Sequence, residues 1–110
     1  MKNAISQVLA ENFQKDILDE KIPVLLLYTD HNSDFPHQFS VLQNYAKQSG
    51  STLKIGLLAE EFMPAFQESY RIYGTPTFLL FYHGRETGRL LGRADLQKLT
   101  DWISGLCVLR

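Results

Sequence analysis

Ile72-Tyr73-Gly74-Thr75-Pro76-Thr77-Phe78-Leu79-Leu80-Phe81 is a Gly-Thr-Pro-Thr turn running straight into an apolar, aromatic-rich stretch of strand length. Proline gives no N–H to a sheet ladder and biases the residue before it to extended geometry. Pro76 therefore stands at the entry of a strand and not inside it. The strand is expected over residues 77–81 or 77–82.

Working outward, Tyr82-His83-Gly84-Arg85 reads as a hairpin turn and Glu86-Thr87-Gly88-Arg89-Leu90-Leu91 as its partner strand, broken by Gly92. Asp95 is a good N-cap for a helix whose stripe is Leu96, Leu99, Trp102, Ile103 and Leu106, with Gly105 as its stop. On the upstream side, Phe62, Ala65, Phe66 and Tyr70 fall at helical spacing, with Pro64 near the helix start. Leu53-Lys54-Ile55-Gly56-Leu57-Leu58 precedes them as a strand. Before that, Phe35, Phe39, Leu42 and Ala46 form a helical stripe widened by Val41 and Tyr45. Asn32, Ser33 and Asp34 are each candidate caps, and Gly50 is the stop.

Val24-Leu25-Leu26-Leu27-Tyr28, entered through Pro23, is a continuous apolar run, as in a strand buried on both faces. At the N-terminus, Ile5, Val8, Leu9, Phe13, Ile17 and Leu18 fit one helix capped by Asn3. A short strand near residues 7–9 followed by a helix fits nearly as well. Strands linked by helices and closed by a hairpin give a mixed sheet covered on both faces. The fold class is α/β, a three-layer α/β/α sandwich ending in a β-hairpin and a helix, with residues 1–110 expected as one domain.

The bulk composition narrows the function. Eleven Lys and Arg nearly balance 12 Asp and Glu, so no broad basic field attracts nucleic acid. No apolar run reaches membrane-spanning length and the N-terminus has no apolar signal core, so a soluble, cytoplasmic protein without a membrane partner is expected. Cys107 is the single cysteine. A CxxC pair, an internal disulfide and a multi-Cys metal site are thereby excluded.

Three stretches carry a resemblance to the thioredoxin family: Pro23-Val24-Leu25-Leu26-Leu27-Tyr28, then Tyr70 through Gly84 with Tyr73-Gly74-Thr75-Pro76-Thr77 at its centre, then Gly92 with the helix after Asp95. The resemblance implies a thioredoxin-like fold and a cis peptide bond between Thr75 and Pro76. It also implies that the family's Trp-Cys-Gly-Pro-Cys segment corresponds to Asp30-His31-Asn32-Ser33-Asp34-Phe35-Pro36, where neither cysteine is present. The family's buried acid beneath the active site corresponds to Leu27. Dithiol–disulfide exchange needs two thiols, so a redox-inactive member is expected.

Other chemistry at this site divides residue by residue. His31, Asp34 and His37 could bind a metal or move a proton, or be exposed side chains on a capped loop. No fixed motif supports the first, and neither a metal nor a cofactor is expected. Ser33 reads better as a cap than as a nucleophile, and Cys107 better as a small apolar filler than as a reactive thiol. Among the aromatics, Phe35 is expected to face the Pro76 loop and offer an apolar patch to a partner.

The leading reading is a non-catalytic domain that binds a protein or peptide segment at the cis-Pro groove. In the family an extended substrate pairs with the main chain just before that proline, and this survives loss of the cysteines. The expected contact residues are Phe35, Tyr73, Gly74, Thr75, Pro76, Gly92 and Arg93, beside the degenerate stretch from His31 to Pro36. The alternative is an enzyme on the same scaffold, using Cys107 as a single thiol or the His31, Asp34 and His37 group as acid–base machinery. A weak homodimer through the apolar tail at residues 106–109 is a further expectation.

Overall fold

The apolar runs and amphipathic stretches pair into a five-stranded sheet with helices on both faces in a computed structural model, which describes residues 5–32, 34–50 and 52–106. In chain order the elements are β1 (Ile5–Val8), α1 (Ala10–Phe13), β2 (Val24–Tyr28), α2 (Phe35–Ser49), β3 (Lys54–Leu58), α3 (Met63–Tyr70), β4 (Thr77–Tyr82), β5 (Arg85–Leu91) and α4 (Leu96–Gly105). A wider π-helical stretch at Gln14–Leu18 prolongs α1, and a 3-10 turn at Glu60–Phe62 leads into α3.

Strand order is β1-β3-β2-β4-β5. β1 and β2 run parallel to β3, with Ile5 opposite Ile55 and Leu25 opposite the same residue from the other side. β4 is antiparallel to both β2 and β5, and Leu26 faces Leu79 at the centre of the sheet.

The unbroken helix from Ile5 is overturned. The edge of β3 offers the first segment a ladder of partners, and Val8 is fully buried there. Asn12 then starts α1 from within, its Oδ1 accepting the Leu9 N–H at 2.6 Å and its amide donating to the Gln7 carbonyl at 3.1 Å. Asn3, the expected cap, lies outside the described residues. Two smaller differences follow the same logic of local partners. Leu53 is buried but β3 begins at Lys54, and Gly105 closes α4 from inside, leaving Leu106 as its cap. Asp95 caps α4 as its sequence suggests, accepting the Lys98 N–H at 2.8 Å.

β2 alternates its side chains between two cores. Leu25 and Leu27 pack with Val41, Leu42 and Tyr45 of α2 and with Leu99 and Ile103 of α4. Val24, Leu26 and Tyr28 pack on the opposite face with Ile17, Met63 and Phe66. All five β2 residues are buried, so the run has no polar face to show. Each fully buried leucine here contributes about 1.5–3 kcal/mol relative to exposure. The rigid centre made by β2 and β4 holds the end of β2 and the entry of β4 side by side, and the candidate site lies at that junction.

Candidate functional site

Three loops meet at one end of the sheet. The first, residues 29–34, leaves β2 and enters α2. The second, residues 71–76, leaves α3 and enters β4 through Thr75–Pro76, whose peptide bond is cis. The third, residues 92–95, joins β5 to α4.

Three hydrogen-bonded or ionic contacts join them, and a buried side chain of α2 adds two more. The Thr75 hydroxyl donates to Asp30 Oδ2 at 3.4 Å, tying the second loop to the first. The Gly92 N–H donates to the Pro76 carbonyl at 2.8 Å, tying the third to the second. Arg93 pairs with Asp34 at 3.0 Å. Beneath that pair, Gln38 is 1% exposed and binds the main chain of Ala94 twice, accepting its N–H at 3.2 Å and donating to its carbonyl at 3.4 Å. Gly92 has φ of +105°, a conformation few side chains tolerate, which lets the chain leave β5 and turn towards α4.

Within the first loop, Asn32 Oδ1 accepts the Asp34 N–H at 3.0 Å and the Asn32 carbonyl accepts the Phe35 N–H at 3.0 Å. Asp34 occupies the N-cap position of α2 with its side chain turned to Arg93 and not to the helix. Ser33, another candidate cap, lies outside the described residues, as does Cys107.

His31, Asp34 and His37 do not assemble. The His31 N–H donates to Glu60 at 2.8 Å and its Nδ1 lies 3.8 Å from the same carboxylate, whereas Asp34 goes to Arg93. No group of three or more His, Cys, Asp and Glu fit to hold a metal forms among the described residues. The Phe35 ring stacks between His31, 4.3 Å away, and Phe39, 5.4 Å away. Leu27, which the resemblance sets at the position of the family's acid, is fully buried in an apolar core.

The other aromatics divide sharply. Phe62, Phe66 and Tyr70 join Phe13 and Phe81 in an edge-to-face cluster under α3. Tyr73, by contrast, is 84% exposed beside Gly74, and Leu91 is 59% exposed across from them. Thr75 is also exposed, while Pro76 is buried. Among the described residues the main-chain N–H and C=O of Thr75 have no hydrogen-bond partner, its hydroxyl alone being engaged.

Residues outside the expected contact set also shape the site. Asp30 and Glu60 line a cleft of about 330 Å³ with Tyr28, Met63, Pro64 and Gln67. Burial, and secondarily the Asp30 charge, push the Tyr28 hydroxyl above its ordinary value of 10.0. Glu60 gave no signal, because its partner His31 is remote in sequence. Gln38 did give one, since it lies four residues before Leu42 on the buried stripe of α2 and needs polar company there.

No family model matches the chain. It is 32% identical over 103 residues to a protein named thioredoxin from Buchnera aphidicola subsp. Schizaphis graminum (strain Sg), an alignment that spans 92% of this chain and 94% of that protein. The chain belongs to the thioredoxin family. Its one cysteine is Cys107, and Asp30-His31-Asn32-Ser33-Asp34-Phe35-Pro36 stands ahead of α2. No helix among the described residues is long and apolar enough to cross a membrane.

Proposed function

We propose that this thioredoxin-like domain binds an extended protein or peptide segment along the loop that ends in Thr75 and Pro76, without dithiol–disulfide exchange. One observation carries the reading. Thr75 stands exposed at the mouth of β4 with its main-chain donor and acceptor both free among the described residues, while its side chain is tied to Asp30. An unpaired main-chain N–H and C=O beside the entry of a strand is what strand addition uses, with main-chain bonds supplying affinity and neighbouring surface supplying selectivity. Tyr73 and Leu91 provide exposed apolar contact next to it, and Gly92 and Arg93 border it from the third loop. A lone cysteine cannot form the internal disulfide that the exchange cycle requires.

A photo-reactive residue tests this. Placed at Tyr73 it is expected to cross-link a partner in cells; placed at the exposed Lys47, near the far end of α2, it is expected not to cross-link that partner. Equal cross-linking from both positions, or capture from Lys47 alone, would sink the reading.

A further inference from the structure

We propose that the cleft beside Thr75 seats a lysine or arginine side chain of the bound segment, a selectivity that rests on the binding reading above. Met63 and Pro64 are among the residues that line the cleft, and they suit the methylene stem of a long cationic side chain. Two carboxylates, Asp30 and Glu60, line it as well. Both are already oriented, Asp30 by the Thr75 hydroxyl at 3.4 Å and Glu60 by the His31 N–H at 2.8 Å. An ionised carboxylate has about four lone-pair sites, so each keeps acceptor capacity for a further donor.

The occupant's charge is decided by what the cleft lacks. Neither lysine nor arginine lines it, and the neighbouring basic side chain is His31, 3.8 Å from Glu60. The field of Asp30 is felt inside, where it adds to burial in raising the Tyr28 hydroxyl. An acidic side chain entering here would meet two like charges. An apolar one would strip water from carboxylates and return no hydrogen bond. A cationic head satisfies both and forms charge-assisted bonds.

The position is also decided. Asp30 touches Thr75, so the cleft adjoins the residue whose main chain is free to pair. Side chains of an extended segment alternate between faces. The cationic residue therefore holds one fixed place relative to the residue paired with Thr75.

The test uses the full chain and a phage-displayed library of random heptapeptides as probe, followed by amide NMR with the selected peptides. Peptides that move the Thr75 amide are expected to share Lys or Arg at one fixed position. Changing it to Gln is expected to weaken Kd tenfold or more. Glu60→Gln and Asp30→Asn are each expected to weaken the parent peptide, and to have little further effect on the Gln peptide. Peptides that move the Thr75 amide but carry no fixed cationic position, or effects of Glu60→Gln and Lys→Gln that simply add, would overturn the cationic cleft and leave the binding reading standing. A selection that yields no peptide acting at Thr75 would overturn both.

Discussion

The hydroxyl of Thr75 and the carboxylate of Asp30 meet at 3.4 Å across 45 positions of sequence, joining the entry of β4 to the exit of β2. Their strands are paired neighbours in the sheet, with Tyr28 opposite Thr77, so this contact continues a register that the core already enforces. It holds the side chain of Thr75 on one side and leaves its main chain open on the other. A site built this way recognises a segment by backbone first and by adjoining side-chain clefts second.

Gln38 is the buried fastening under that surface. Gln38→Met keeps the length and shape of the side chain but leaves the N–H and C=O of Ala94 without partners in a buried setting. The expected loss is about 1–3 kcal/mol, read as a lower urea midpoint at unchanged slope. Hydrogen exchange at the Ala94 amide is expected to quicken as well. A midpoint equal to that of the wild type would show that the Gln38–Ala94 pair fastens nothing.

Arg89 holds the other side of the Thr75 loop. Its guanidinium donates to the Tyr70 carbonyl at 2.8 Å and the Arg71 carbonyl at 3.0 Å, at the C-terminal end of α3, while pairing with Glu86. That pair, ahead of a smaller opposing effect of burial, holds the guanidinium above its ordinary value. A planar fork can serve three acceptors at once, and an ammonium on a flexible stem cannot do so in the same geometry. Arg89→Lys is therefore expected to cost about 1 kcal/mol, close to the cost of Arg89→Ala. The Tyr73 and Gly74 amides are expected to broaden in both variants. Full rescue by lysine would refute the fork.

How much of this is legible in the sequence depends on how local the cause is. β2 and β4 are readable because an unbroken apolar run and a proline at a strand entry act within a few residues. The Asp95 cap is readable for the same reason, its partner Lys98 being three positions away. The N-terminus is readable only as two alternatives, of which the short strand followed by a helix is found, because the choice at Ile5–Val8 is made by the free edge of β3, some fifty positions on. The site is legible as a stretch and not as a set of contacts. Residues 30–36 and 73–76 stand out, but the turn of Phe35 towards His31, and of His31 towards Glu60, depends on where the turn before α3 lands.

The phenols make stability fall on the alkaline side. Burial raises the Tyr45 hydroxyl; burial and then the Glu86 charge raise Tyr70; burial and then Asp30 raise Tyr28, all above the ordinary 10.0. A raised folded-state value means the unfolded chain loses its protons first. The stabilisation is thus fully present below pH 10.0, the ordinary value, and is lost as pH climbs through the folded-state values above it. Denaturant midpoints are expected to stay level with respect to these groups up to about pH 9 and then drop. In Tyr45→Phe the drop is expected to be shallower; an unchanged slope would show that Tyr45 ionises equally in both states.

Gly56 gives the sharpest test of the sheet itself. It sits in β3 between β1 and β2, paired with Ser6 on one side and Leu26 on the other. A Cβ built on it would lie 2.8 Å from Val8 Cγ2 and 3.4 Å from Leu26 Cδ1. Val8 is fully buried, so its methyl has nowhere to retreat. Overpacking of this kind costs about 1–3 kcal/mol, which outweighs the few tenths that Ala gains over Gly through reduced unfolded-state entropy. Gly56→Ala is therefore expected to lower stability. Val8→Ala alone is expected to lower it too, by leaving a void beside the same position. Combined, the methyl added at Gly56 occupies the space that the Val8 side chain vacates, and the double variant is expected to be more stable than the sum of the two losses predicts, by about 0.5–3 kcal/mol of coupling. Strict additivity in the cycle would mean that β1 and β3 do not press together at Gly56 and Val8, and the edge pairing that displaced the N-terminal helix would lose its packing basis.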